Sequence, residues 1–153
     1  MLVLHFVMEF KDDIQSIHAL AYFNLLKTGS WLEERIKKAL NPYGLTHAQL
    51  NVLYILFEND PKPVSASELK KKILVKNPDV TRLLDRLVKK GYVNRETCSE
   101  NRRMIDISLT ESGKLLFLEA HESARQAVGN FFEEQITEDE ARELRRIMHK
   151  LRE

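Results

Sequence analysis

"NPDVTRLLDRLVKKGYVNRETCSENRRMIDISLT", residues 77 to 110, changes its hydrophobic period half-way along, and that change decides the fold. Up to Gly91 the residues Val80, Leu83, Leu84, Leu87 and Val88 recur at helical spacing and form one apolar stripe. At about 100° per residue, Arg82, Asp85 and Lys89 stand opposite the stripe, with Thr81 and Arg86 on its flanks. Asn77 suits an N-cap, Pro78 the first helical position, and Gly91 the C-terminal stop. After Gly91 the period shortens to two. "YVNRETC" and "MIDISL" read as strands around the turn Ser99 to Arg103, a hairpin with Arg102 and Arg103 at its tip.

Working outward, Ser65 and Glu68 make a capping box that opens a short helix with Ala66, Leu69 and Ile73 inward. Thr46 and Gln49 make another, ahead of "LNVLYILF", which is apolar on nearly every face and belongs at the centre of the core. Residues 9 to 40 are helical in pattern through Ile17, Ala21, Leu25, Leu32, Ile36 and Leu40, with a bend expected at Gly29-Ser30 and a break at "NPYG", residues 41 to 44. Downstream, Thr110 to Glu134 reads as helix, with Leu115, Leu118, Ala124, Val128, Phe131 and Phe132 as its apolar positions. Thr137 with Glu140 starts a last helix carrying Leu144, Ile147, Met148 and Leu151. The expected fold is mainly α with a small β-hairpin wing, a winged helix-turn-helix. One domain is expected over residues 1–153, with the winged lobe at 45–110 and terminal helices at 9–40 and 111–153 whose apolar stripes call for a dimer partner.

Composition narrows the function. The net charge is only +1, but from Lys62 to Arg103 twelve Lys or Arg face five Asp or Glu, a net of +7, and the remainder of the chain carries −6. Such segregation is the electrostatic footprint of a nucleic-acid binder. A single cysteine, Cys98, excludes an internal disulfide framework and a cysteine-based zinc site, and suits a reducing cytoplasm. It sits at the base of the wing, where a redox switch would need a lowered thiol pKa and an accessible sulfur. His5, His18, His47, His121 and His149 show no metal-ligand spacing, so no metal or other cofactor is expected. With no nucleophile and base pair and no phosphate loop, an enzyme is not expected either. The apolar start "MLVLHFV" is too short to span a membrane and a poor signal peptide, and Met8 is a second candidate initiator.

A helix fits the major groove of DNA, and an arginine on a hairpin tip can reach the adjacent minor groove. Arg82 and Arg86 are the candidates for base or phosphate contact, and Lys76, Asn77 and Thr81 for phosphate and base-edge hydrogen bonds. Ser67, with Ser65, suits backbone phosphates, although plain capping explains Ser65 equally well. Arg102 and Arg103 complete the set, against the plainer reading of solvated turn residues. Lys70 to Lys72 read as a solvated face. Asp79 can accept from cytosine N4 or act as helix N-terminal charge, and the second is favoured. Tyr22, Phe23 and Trp31 are either an effector pocket or, more plainly, core or dimer interface.

"DVTRLLDRLVKKGYVNRETCSENRRMIDISLTESGKLL", residues 79 to 116, resembles the recognition helix and wing of the MarR family of bacterial transcription regulators. Leu83 to Leu87, Lys89-Lys90-Gly91 and Leu109-Thr110-x-x-Gly113 carry the likeness, and the long helices on both sides resemble that family's dimerisation helices. The resemblance implies a homodimeric repressor or activator on a palindromic double-stranded DNA operator, released by a small aromatic or phenolic effector or by oxidation. Two departures stand out: Asn101 where the family has Asp, and Pro78-Asp79 where it has small hydroxyl residues. The alternative use of the same fold is as a protein–protein interaction module that does not bind DNA.

Overall fold

The computed structural model describes residues 16–73, 79–98 and 104–153, which divide into two compact units between Arg35 and Ile36. Helix α1, Ile17–Leu40, starts at Ser16, whose Oγ accepts the Ala19 N–H at 3.1 Å. It runs through Gly29-Ser30 unbroken. Ile17, Leu20, Tyr22, Phe23, Leu25 and Leu26 are all exposed along it. Its last turn belongs to the second unit, where Leu40 is fully buried.

Helix α2, His47–Asn59, is the centre of that unit. The Thr46–Gln49 box closes in both directions, Thr46 Oγ1 accepting from Gln49 N and Gln49 Oε1 from Thr46 N. Leu50, Val52, Leu53, Ile55 and Leu56 point to several sides and are all buried, as the unbroken apolar run requires. Around α2 lie β1 (Val64–Ser65), α3 (Ala66–Lys72), α4 (Val80–Lys89), β2 (Val93–Thr97), β3 (Ile105–Leu109) and α5 (Glu111–Ala124). A π-helical turn, Arg125–Gly129, leads into α6 (Asn130–Gln135), and α7 follows at Glu138–Lys150 behind a closed Thr137–Glu140 box. Leu53, Leu69, Leu84, Leu87 and Ile107 are almost fully buried and join the helices to the sheet in one core.

The expected two-stranded wing is part of a three-stranded antiparallel sheet of order β1-β3-β2. Val64 pairs with Ile107, while Val93 to Thr97 pair with Leu109 to Ile105. Two residues are too few to show a period, so β1 is invisible in the pattern; what makes it is the buried Val64 laid beside Ile107.

The helix expected from Thr110 forms, with Thr110 as its cap, and its apolar positions divide between a buried line and an exposed one. Gly113, Phe117 and Ala120 are buried, and Phe117 meets Phe57 of α2 at a centroid distance of 4.7 Å. Leu115 and Leu118 are 64% and 49% exposed. The residues 113, 117, 120 and 124 share one line along a 3.6-residue helix, with Phe117 set against α2 and Gly113 against the Tyr92 backbone. At its end Arg125 grips Glu122 through Nε and Nη2, each 2.9 Å from a carboxylate oxygen, and Gln126 adds a third bond at 2.9 Å. Arg125 above all, then Gln126, hold the Glu122 carboxyl at about 2, below the ordinary 4.5. A folded value below the unfolded one means that the link is fully present above 4.5 and is lost only as pH falls through about 2. An NMR titration of side-chain carboxyls is expected to find Glu122 at about 2, moving back toward 4.5 in Arg125→Gln; an ordinary midpoint in the native protein would contradict the contact.

Candidate nucleic-acid interface

Helix α4 starts two residues later than its pattern implies. Its N-cap is Asp79, whose Oδ1 accepts the Arg82 N–H at 3.1 Å, in place of the expected Asn77 with Pro78 at the first helical position; Asn77 and Pro78 themselves lie outside the described residues. A carboxylate is as good a cap as an amide, and here it also meets the positive end of the helix. Val80, Leu84 and Leu87 are buried and Leu83 half-buried. Val88, expected in the stripe, sits at its edge and is 37% exposed. Thr81, Arg82, Asp85, Arg86 and Lys89 are all exposed, so the helix is cleanly divided between core and solvent.

The C-terminal end reverses the chain into the wing. Gly91 has φ +74°, its N–H donates to Val88 O at 2.9 Å, and Tyr92 N–H donates to Leu87 O at 3.0 Å, the two bonds of a Schellman motif. From there β2 leaves alongside α4, and Arg95 Nη1 donates to Asp85 Oδ1 at 3.1 Å, tying the wing to the outer side of the helix. Lys90 Nζ donates to Gly44 O at 2.7 Å and anchors the end of α4 rather than standing free. The base of the wing is held by Thr110: its Oγ1 donates to Gly91 O at 2.7 Å, its N–H donates to Tyr92 O at 3.1 Å, and its Oγ1 accepts from Gly113 N at 3.0 Å. Cys98 N donates to Met104 O at 3.0 Å in the last described rung below the tip.

Of the sequence-derived candidates, Thr81, Arg82 and Arg86 share the exposed side of α4, and Ser67 is exposed at the start of α3. Ser65 is buried in its box: its N–H and Oγ donate to Glu68 Oε2 at 2.8 and 2.6 Å, and these bonds hold the Glu68 carboxyl below its ordinary range. That is the capping role. Lys76, Asn77, Arg102 and Arg103 lie outside the described residues. Lys89, absent from the candidates although on the polar side, is exposed and has no carboxylate partner among the described residues. On α1, Tyr22 and Phe23 meet edge-on at 5.3 Å, and Trp31 lies under the Arg35 guanidinium at 4.9 Å. Tyr22 and Trp31, nine residues apart, are about half a turn out of phase. Among the described residues no group of three His, Cys, Asp or Glu could hold a metal ion, and no helix is long and apolar enough to cross a membrane.

The family model described as MarR family matches residues 45–105, from the start of α2 to the return strand of the wing. The transcriptional repressor MdtR of Bacillus subtilis is 32% identical over 120 residues, 78% of this chain and 76% of MdtR. The chain belongs to the MarR family. The HTH-type transcriptional regulator PrsX of Escherichia coli is 34% identical over 88 residues, 58% of this chain; the chain spans about half the length of that regulator, 53%. Among MarR-like folds, the transcriptional repressor CouR, solved bound to a 23-mer DNA duplex, has a TM-score of 0.79 at 20% identity, covering 92% of this chain and 97% of CouR.

Proposed function

We propose that the chain is a homodimeric, cytoplasmic transcriptional repressor without catalytic activity. It places α4 in the major groove of each half of a palindromic operator and the wing tip in the neighbouring minor groove. The observation that carries this reading is α4: one side is locked into the core by Val80, Leu84 and Leu87, and the other offers Thr81, Arg82, Arg86 and Lys89 to solvent beside a hairpin. Lys76 and Asn77 stand four and three residues before the helix in sequence, Arg102 and Arg103 lie between the two strands in sequence, and the exposed Ser67 hydroxyl suits a backbone phosphate. The DNA duplex carried by CouR favours a nucleic acid over an acidic protein as partner.

A second copy is the natural cover for the exposed Leu115 and Leu118 of α5 and for Ile147 and Leu151, and two-fold pairing matches a palindrome. A small aromatic or phenolic effector, taken up beside Tyr22 and Phe23 or beside Trp31, supplies the release step.

The test combines size-exclusion chromatography with gel shifts of the duplex flanking the chain's own coding region, across salt concentrations. The expected result is twice the mass of one chain and a shift whose log affinity falls with log salt by about 0.9 per phosphate contact. A monomer that leaves every duplex unshifted would overturn the proposal. Retention of an acidic partner protein in place of DNA would favour the interaction-module reading.

A further inference from the structure

Asp79 does more than cap α4. Its Oδ1 accepts the Arg82 backbone N–H at 3.1 Å, and its Oδ2 stands 3.1 Å from Arg82 Nε as an ion pair, so one carboxylate meets the same residue at main chain and side chain. With the Nε side of the guanidinium turned to the carboxylate, the two terminal nitrogens face away as a pair of parallel donors, and the Arg82 side chain is 80% exposed. Two parallel donors at that spacing match the O6 and N7 acceptors of guanine in the major groove.

We propose that Asp79 and Arg82 form a guanine-reading unit at the start of α4, with Arg82 the reader and Asp79 the positioning residue that aims it. This deepens the DNA-binding reading above and rests on it. An unpaired arginine grips phosphate at any sequence; a carboxylate beside it cancels much of that attraction and leaves the directional hydrogen bonds. A guanidinium already restrained loses less side-chain freedom on docking. The pair is worth little in water, being exposed, but strengthens where the groove excludes solvent. Arg86 and Lys89, one and two turns along, have no carboxylate partner among the described residues and are left to grip phosphate, while Asp85 is engaged by Arg95.

The test is selection of bound duplexes from a library randomised across the operator, by the native protein and by Arg82→Lys, Asp79→Asn and Asp79→Ser. Asn and Ser retain a capping acceptor, so α4 keeps its start, which a melting curve checks. The native protein is expected to select one G·C pair per half-site. All three variants are expected to relax preference at that same pair by about tenfold. Asp79→Asn is expected also to bind unrelated duplex more tightly than the native protein does. Unchanged preference in the Asp79 variants overturns the inference, and so does a changed preference at a different pair, which would make Asp79 itself a reader of cytosine. A native protein that selects no sequence removes the DNA-binding reading and this inference with it; selection indifferent to Asp79 removes this inference alone.

Discussion

Gly113→Ala is expected to destabilise the protein by about 3 kcal/mol, lowering the melting temperature by roughly 10 °C. A Cβ at position 113 would lie 2.0 Å from the Tyr92 carbonyl oxygen and 2.9 Å from its carbon. Both atoms are backbone, so no rotamer change relieves the clash. Tyr92 O already accepts the Thr110 N–H, and Tyr92 N–H closes the Schellman motif on Leu87, so the carbonyl is held from both sides. Any retreat of α5 breaks the bonds through which Thr110 and Ser112 reach Gly91 O at 2.7 and 3.0 Å. Gly29→Ala is the matching control. Nothing lies within 4 Å of the point where its methyl would stand, and in the middle of α1 the exchange is expected to stabilise by about 0.5–1 kcal/mol. Urea melts of the two variants should therefore move in opposite directions; equal stability of Gly113→Ala and the native protein would rule out the close approach.

Elements whose cause is local were legible in the residues. The three boxes at Thr46, Ser65 and Thr137 close as their i, i+3 spacing implies, and the division of α4 into buried and exposed sides follows from its stripe. Features decided by competition or by distant contacts were not. Asn77 and Asp79 are both good caps, and the residue types alone do not choose between them. Helix α5 carries two apolar stripes, one for α2 and one left exposed, and a single chain read as a string does not say which faces inward. In the candidate site, the polar face of α4 was readable, whereas the Asp85–Arg95 link depends on the turn at Gly91 bringing β2 back along the helix. The Asp79–Arg82 pair has the right i, i+3 spacing, but its use as cap and side-chain clamp at once is visible only in three dimensions.

Replacing Arg82 and Arg86 together by Ala is expected to lower operator affinity by about three orders of magnitude, with the fold intact. A bidentate arginine–guanine contact contributes roughly 1–3 kcal/mol of discrimination, and a two-fold dimer loses it in both half-sites. Arg86 adds a phosphate contact in each subunit, so the double variant should also show a salt slope shallower by about two. Stability should change by no more than about 0.5 kcal/mol, because both side chains are exposed and the Arg82 amide that Asp79 caps is retained by Ala. The single variants separate the two roles. Arg86→Ala is expected to weaken all duplexes alike, and Arg82→Ala to weaken the operator far more than unrelated DNA. Fluorescence anisotropy of labelled operator and scrambled duplex across salt measures both quantities, and equal losses on the two duplexes in Arg82→Ala would reduce that residue to a phosphate contact.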